Sequence, residues 1–291
     1  MQNRQLAAFT EMVDAVNAGD AKRYASVYAP DATIVIHGSS RLEGRNAIEE
    51  YEVGLLRQFP GTRFGFYAIW QHGSSAVVHY AVNTPAAGGP ATGHEGLLFY
   101  RFDPSGLIAE ERRYLDSLTP MAQAGMFGLP ARPLPALPVE RRTCTAGESP
   151  AEQANVTAVK ANLQALDARN EAAFLAGLTD DVVLDDLTRP RPFAGRAEAR
   201  TWFGQWTAAV PDARTEIAWT LGAGDSVLVE TVVRGTLEKR FGPLRPSDRA
   251  FAIHRAAIAR VRNGRIGRLS LFMNGRELAE AVGQWPLMKA E

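Results

Sequence analysis

The sequence predicts an α+β fold that occurs twice along the chain, each copy with helices on one face of a curled, mainly antiparallel sheet. Three observations lead to this prediction. Short motifs recur in the two halves, helical patterns come before most strand patterns in each half, and a proline-rich stretch separates the halves. Runs of helices followed by runs of strands are typical of α+β domains. The 291 residues suffice for two domains of ordinary size.

The repeated motifs align the two copies. Gly44-Arg45-Asn46-Ala47 resembles Gly195-Arg196-Ala197-Glu198, 151 positions later. Further along, Gly106-Leu107-Ile108 resembles Gly264-Arg265-Ile266, 158 positions later. The larger separation indicates one insertion in the middle hairpin of the second copy. Self-similarity at such a spacing indicates a duplicated domain.

In the first copy, apolar residues at helical spacing predict a helix over Gln5–Ala18, which Gly19 ends. β-branched residues bounded by glycine, proline and asparagine predict the strands. The further predicted elements are a short helix at Tyr24–Tyr28, a strand at Ala32–Ile36, a helix at Arg45–Phe59, and strands at Arg63–Gln71, Ala76–Val82, Glu95–Phe102 and Leu107–Tyr114.

The second copy repeats this order of elements. Its predicted helices are Ala154–Asp167, Glu171–Gly177 and Ala197–Ala209, and its predicted strands are Val182–Leu187, Arg214–Leu221, Val227–Leu237, Phe251–Arg262 and Arg265–Asn274. Between the copies, Pro130, Pro133, Pro135 and Pro138 favour extended backbone and exclude a helix. We therefore predict domains at residues 1–127 and 151–291, joined by a proline-rich linker at residues 128–150.

Composition and charge exclude several classes of partner. Lys plus Arg and Asp plus Glu each number 32, so no net charge attracts nucleic acid or an anionic membrane. Cys144 is the single cysteine, which excludes an intrachain disulfide and favours a reducing compartment. The first residues do not resemble a signal peptide and no stretch is apolar enough to span a membrane. We expect a cytoplasmic protein without a metal or nucleotide cofactor, because no motif for either is present.

A set of short motifs, in order, suggests a family. They include Asn17-Ala18-Gly19-Asp20, Leu42-Glu43-Gly44-Arg45-Asn46-Ala47-Ile48, Phe59-Pro60, Ala91-Thr92-Gly93-His94, Tyr114-Leu115-Asp116 and Gln123-Ala124-Gly125. In this order they resemble a SnoaL-like polyketide cyclase domain of the nuclear transport factor 2-like superfamily, over about residues 1–127 and, more weakly, 151–288. The resemblance implies cone-shaped sheets, each capped by three helices around a cavity. Since domains of this superfamily commonly pair through their sheets, it also implies an intrachain pseudo-dimer. A single chain would then provide both members of the pair and could remain a monomer.

The resemblance points to Asp116 as the acid/base residue of the first copy. Cyclases of this family place an aspartate after the last strand, where it transfers a proton to or from a carbon next to a carbonyl. A helix cap is an equal alternative, since Asp116 precedes a short helical stretch. His94 shares one strand face with Gly96 and Tyr100 by alternation, so it could pair with Asp116 or orient a substrate carbonyl. An exposed histidine at the end of a loop is the alternative.

In the second copy, Asp186 lies nine positions before Gly195, a spacing that resembles the catalytic aspartate of ketosteroid isomerases. The oxyanion donors of those isomerases fall on Asn162 and Ala257, which argues against isomerase activity. The counterpart of Asp116 is Asn274, which cannot transfer a proton. We therefore expect unequal halves, with Asp186 as the acid/base candidate of the second.

Substrate-binding candidates in the first copy are one histidine and four aromatic residues, namely His37, Trp70, Tyr24, Tyr114 and Phe66. His37 follows a strand near the position of the isomerase aspartate, and the aromatic rings could form the wall of a pocket for a flat hydrophobic ligand. Ordinary core packing is the alternative for the aromatic residues.

The leading hypothesis is a cofactor-independent enzyme that transfers protons in a hydrophobic carbonyl compound, by aldol-type ring closure or double-bond isomerisation. The rival hypothesis is a non-catalytic ligand-binding or scaffold protein of the same fold. Dehydratase chemistry through Asp167 is a minority alternative, because His254 does not fall where an Asp–His pair needs it. Epoxide hydrolysis is disfavoured, because neither copy supplies the Arg-x-Asp motif of those enzymes.

Overall fold

The computed structural model of the chain describes residues 2–85 and 88–287. These residues form two compact units. The first contains residues 2–85, 88–115, 119–126 and 133–145, and the second contains residues 116–118, 127–132 and 146–287. The proline-rich segment is thus divided between the units, and the short stretch that begins at Asp116 groups with the second.

The first unit contains the predicted elements in the predicted order, together with further short elements. Its helices are α1 (Gln2–Ala18), α2 (Ala21–Ala25), α3 (Arg45–Gln58) and α4 (Leu118–Gln123), and its strands are β1 (Tyr28–Ile36), β2 (Ser40–Glu43), β3 (Arg63–His72), β4 (Ser75–Thr84), β5 (Thr92–Phe102), β6 (Ile108–Leu115) and β7 (Arg142–Thr145). Gly19 ends α1 with a φ of +71°, a conformation that glycine adopts without strain. The side chain of Asp20 then caps α2 by accepting a hydrogen bond from the Arg23 backbone N–H.

The seven strands of the first unit form one sheet in the order β2-β1-β6-β5-β4-β3-β7. Helices α1, α2 and α3 cover one face, which we call the inner face. Its core joins helix residues such as Phe9 and Ile48 to strand residues such as Ile34, Leu98 and Tyr100. The opposite, outer face carries Trp70, Phe99 and Tyr114, which are also buried.

The second unit has the helices α5 (Pro150–Asp167), α6 (Glu171–Ala176), α7 (Gly195–Ala209) and α8 (Gly275–Ala281), and the strands β8 (Leu178–Asp186), β9 (Phe193–Ala194), β10 (Arg214–Ala223), β11 (Ser226–Thr236), β12 (Ala250–Arg262) and β13 (Arg265–Met273). Its sheet runs β10-β11-β12-β13-β8-β9. A capping box opens α5, in which Ser149 and Glu152 each accept a hydrogen bond from the other's backbone N–H.

The α+β fold class and the duplication are confirmed, and the two sheet-containing units are those that a pseudo-dimer requires. The sheets are mixed rather than wholly antiparallel, because β1 pairs in parallel with β6 and β8 with β13. The short second helix ends at Ala25, so Tyr28 begins a strand instead of ending a helix. Strands β2, β7 and β9 were not predicted. The threonines Thr143 and Thr145 of β7 alternate and suit an edge strand, which pairs with β3.

Among the residues that the structure describes, no helix is both long and apolar enough to cross a membrane.

Candidate active site

A closed ring of hydrogen bonds lies on the inner face of the first unit, and we call it the Glu111 ring. Arg113 Nε donates to Glu111 Oε1 at 2.5 Å, and Arg113 Nη2 donates to the Tyr24 hydroxyl at 2.7 Å. The hydroxyls of Tyr24 and Tyr28 lie 2.8 Å apart, and Tyr28 donates to Glu111 Oε2. Because the Tyr28 hydroxyl donates its hydrogen bond to the carboxylate, Tyr24 is the donor between the two tyrosines. Each of the four side chains is therefore satisfied, and the buried charges compensate each other.

Two residues of the ring, Glu111 and Arg113, belong to a run of four charged residues on β6, so the sequence alone does not distinguish them from their neighbours. Strand alternation places Glu111 and Arg113 on the inner face, whereas Glu110 and Arg112 form their own pair at 2.6 Å on the outer face. Glu111 is fully buried and the Arg113 side chain is 12% exposed. Burial raises the pKa values of Tyr24 and Tyr28, so both hydroxyls stay protonated.

Glu52 is a buried carboxyl next to the ring, and the sequence reasoning missed it. Helix α3 buries two side chains, Ile48 and Glu52, one turn apart. Glu52 is 5% exposed and accepts no hydrogen bond from any residue that the structure describes. Burial raises its pKa, Arg113 opposes this increase, and Glu111 adds to it. An unpaired buried carboxyl with a raised pKa is a typical acid/base candidate. The available signal was a glutamate at a position where the helix pattern requires an apolar residue.

Tyr100 and His94 complete the polar part of the inner face. Tyr100 pairs with Glu111 in the sheet, and its buried hydroxyl has no hydrogen-bond partner within the described chain. His94 lies on the same strand face, as predicted, with Nε2 at 3.2 Å from the Tyr80 hydroxyl. The Tyr80 ring covers Gly96, where a Cβ would approach the ring to 2.4 Å. The tyrosine therefore requires a glycine opposite it.

Burial lowers the pKa of His94 to about 4, against a weaker opposing effect of Glu95. The folded histidine thus stays neutral where an unfolded one, near pH 6.5, takes up a proton. We expect the free energy of unfolding to fall as the pH drops from about 6.5 to about 4, by as much as about 3 kcal/mol. Urea unfolding across this range checks it, with His94→Gln as the comparison. Equal pH slopes for wild type and variant would contradict a histidine that stays neutral in the folded protein.

The structure brings together some of the predicted binding residues and separates others. Tyr24 is part of the Glu111 ring, and Phe66 packs in the inner core. Trp70 and Tyr114 lie on the outer face instead, and the His37 ring packs against Tyr114 at 4.5 Å between centroids, with the rings tilted by 35°. On β3 the bulge between Phe66 and Ala68 turns Trp70 to the face opposite Phe66, and the five residues do not line one inner pocket.

Two grooves open on the surface of the first unit near the helices. One, of about 630 Å³, lies between the α1–α2 junction, α3 and residues 60–63, and Val53 lines it directly beside Glu52 in sequence. The other, of about 470 Å³, lies between α1 and residues 137–141 and reaches Phe66. The residues lining the two grooves do not include Glu52 or the Glu111 ring. The grooves flank the helices that cover this cluster.

Asp116 lies in the second unit's group of residues and acts as a cap. The carboxylate is 5% exposed, and its Oδ1 accepts hydrogen bonds from the backbone N–H groups of Gly275 at 2.9 Å and Leu118 at 3.2 Å. Its counterpart Asn274 accepts from the Ser117 and Arg276 N–H groups at 3.2 and 3.1 Å. Each residue thus caps the turn after itself and the turn after the other. These bonds favour the capping interpretation, while the acid/base role of Asp116 stays a prediction.

Capping predicts a specific pattern of variant stabilities. Asp116→Asn keeps the accepting oxygen, as Asn274 does, and should change the free energy of unfolding by less than about 0.5 kcal/mol. Asp116→Ala leaves the Gly275 and Leu118 N–H groups without their acceptor and should cost about 1–3 kcal/mol. Chemical denaturation measures both variants. A loss with Asp116→Asn as large as with Asp116→Ala would show that the charge matters and not the cap.

Asp186 lies at the end of β8 with its oxygens occupied. Oδ1 accepts from the Thr188 N–H and hydroxyl at 3.2 and 2.7 Å, and Oδ2 accepts from the Trp202 indole N–H at 3.2 Å. Arg189 Nε lies 3.6 Å from Oδ2. Asp186 is buried where the isomerase-like spacing predicted an acid/base residue, and that role also stays a prediction.

Comparison with known proteins places these features in a family. The SnoaL-like domain family matches the chain twice, at residues 9–111 and 159–269. No protein with curated function matches. Solved structures similar to one half include a provisionally assigned SnoaL-like polyketide cyclase from Jannaschia sp. CCS1, with 15% identity and a TM-score of 0.45 over 48% of this chain and 99% of that one. An LEH-like epoxide hydrolase from M. tuberculosis has 18% identity and a TM-score of 0.39 over 46% and 93%.

Proposed function

The chain belongs to the SnoaL-like domain family, which includes small-molecule enzymes, and from this premise we propose that the first unit catalyses proton transfer without a cofactor. The substrate class is a hydrophobic carbonyl compound, and the proton moves to or from the carbon next to the carbonyl. Ring closure by aldol condensation and double-bond isomerisation both require this step. Dehydration is a minority alternative.

The observation that carries the proposal is the unpaired carboxyl of Glu52. A general base must be ionised enough to accept a proton and basic enough to hold it. Burial raises the pKa of Glu52 toward the working pH, and no described hydrogen-bond donor occupies its oxygens. Glu111, although more deeply buried, is unsuitable because its oxygens accept from Arg113 and Tyr28.

Proton removal next to a carbonyl creates an enolate, and the site offers a donor to stabilise it. The Tyr100 hydroxyl is buried and has no partner among the described residues. Burial, together with Glu111, raises the pKa of Tyr100, so the hydroxyl stays protonated and can donate a hydrogen bond to the enolate oxygen. The Glu111 ring holds Tyr24, Tyr28 and Arg113 in place around this region. In the same proposal, neutral His94 acts as an auxiliary that orients the substrate through its ring.

A second candidate function, ligand binding without catalysis, is supported for the second unit. The counterparts of Glu52, Glu111 and Arg113 there are Phe203, Leu269 and Leu271, at the separations of 151 and 158 positions found in the repeats. Register gives Ala259 as the counterpart of Tyr100. The acid/base set of the first unit is therefore absent from these positions in the second. The acid/base candidate of the second unit, Asp186, already accepts three hydrogen bonds.

Deuterium exchange tests the proposal without knowledge of the natural substrate. The full chain is incubated in D₂O with 2-tetralone, a flat hydrophobic ketone, and exchange next to the carbonyl is followed by NMR, with binding measured by calorimetry. We expect enzyme-dependent exchange that Asp116→Asn leaves in place. Binding of the ketone without exchange would favour the non-catalytic alternative. Loss of exchange with Asp116→Asn would return the acid/base role to Asp116.

A further inference from the structure

At one position of the sheet, the second unit has a buried arginine where the first unit has a glycine. Register places Arg255 of β12 opposite Thr231 and Met273, in the position that Gly96 occupies opposite Tyr80 and Leu115 in the first unit. A glycine covered by a tyrosine in one copy is thus an arginine facing a threonine in the other. Arg255 lies on the same strand face as Ala257, which aligns through Leu271 with Asp186.

Arg255 is deeply buried and incompletely paired. The residue is 3% exposed, and Nη2 has no hydrogen-bond partner in the part of the chain that the structure describes. Burial lowers its pKa, while Asp167 and Asp186 act in the opposite direction. An arginine stays protonated in proteins, so the interior holds a cation with an unused donor. Such a donor is costly unless a ligand or water accepts from it.

The nearby carboxylates are engaged with other groups. Asp186 accepts from Thr188 and Trp202 and lies beside Arg189. Asp167 accepts from the Thr215 N–H and hydroxyl at 2.7 and 2.9 Å. Both carboxylates that act on Arg255 therefore already accept from other donors, and Asp186 also lies beside the Arg189 guanidinium. Neither carboxylate accepts from the Nη2 of Arg255, which leaves this buried donor for an acceptor on a ligand.

The surroundings specify what kind of anion fits. Trp202 and Phe203 of α7 are buried, Trp202 contacts Asp186, and the residues next to Asp186 in the register, Leu271 and Ala257, are buried and apolar. We propose that the second unit binds a small aromatic or otherwise apolar carboxylic acid, whose carboxylate pairs with Arg255. Guanidinium groups match carboxylates geometrically, which favours this group over a neutral amide. The chain would thus carry a carboxylate-binding site separate from the proton-transfer site of its first unit.

Calorimetry with phenylacetate and its neutral analogue phenylacetamide tests the site in the full chain. We expect phenylacetate to bind wild type at least tenfold more tightly than phenylacetamide. Arg255→Met should remove this preference, while Arg255→Lys, which keeps the charge, should retain part of it. Arg262→Met is the matched control, because Arg262 lies on the same strand but is exposed and paired with Asp181. That control should bind as wild type does.

Two results would overturn the proposal. One is wild type that binds neither compound at millimolar concentration, or binds both equally. The other is folded Arg255→Met, verified by circular dichroism, that retains the preference for phenylacetate. If Arg255→Met does not fold, Arg255→Lys decides, since unchanged affinity and preference in that variant would show that the paired geometry of the guanidinium is not used.

Discussion

Arg113→Met is expected to lower the free energy of unfolding by about 3–5 kcal/mol, the usual cost of removing one partner of a buried ion pair. The change leaves the Glu111 carboxylate fully buried without its cation and takes from Tyr24 the donor at 2.7 Å. Methionine matches the length of the arginine stem, so the loss reflects charge and hydrogen bonding more than volume. Urea unfolding followed by circular dichroism measures it.

The chain provides two matched controls for this prediction. Arg112→Met removes the neighbouring pair with Glu110 on the outer face, where the side chains are about a third exposed, and should cost less than about 1 kcal/mol. The double variant Glu111→Leu/Arg113→Leu reproduces the second unit, which has Leu269 and Leu271 at these positions. It should recover much of the lost stability. A double variant as unstable as Arg113→Met alone would show that the unpaired charge is not the cause.

The order of elements could be predicted from the sequence because it depends on local patterns and on the repeat. The inner position of His94 followed from strand alternation, and the alternative of a cap at Asp116 followed from its place before a helical stretch. The Glu111 ring could not be predicted in the same way. In the run from Glu110 to Arg113, both strand faces carry one acid and one arginine, so alternation gives no sign of which pair is buried.

The family resemblance predicts which positions carry functional residues, whereas burial and hydrogen bonding show which side chains are unpaired. Asp116 occupies the expected position, but its Oδ1 accepts from two backbone N–H groups. Glu52 occupies a position with no motif, in the middle of a helix, and is unpaired among the described residues. Likewise Trp70 and Tyr114 are aromatic and buried but belong to the outer face. Which face a strand residue takes depends on register and on the bulge between Phe66 and Ala68, which the sequence does not reveal.

Glu52→Gln should lower the rate of ketone deuterium exchange by about 10²–10⁴-fold, the range for loss of a positioned general base. Glutamine keeps the shape and removes the ability to accept the proton. In wild type the acidic limb of the pH–rate profile should lie above pH 4.5, because burial raises the Glu52 pKa and the base works only when ionised. Glu50→Gln, on the exposed side of the same helix, should exchange as wild type does.

Stability separates this catalytic role from a structural one. A carboxyl with a raised folded pKa binds more protons in the folded state than in the unfolded state, so its contribution to stability falls as the pH rises past 4.5. At neutral pH, Glu52→Gln should therefore be as stable as wild type or more stable, although it has lost exchange. Unpaired charges kept at the expense of stability are characteristic of functional sites. A variant that loses stability and exchange together, or that retains exchange, would contradict the role assigned to Glu52.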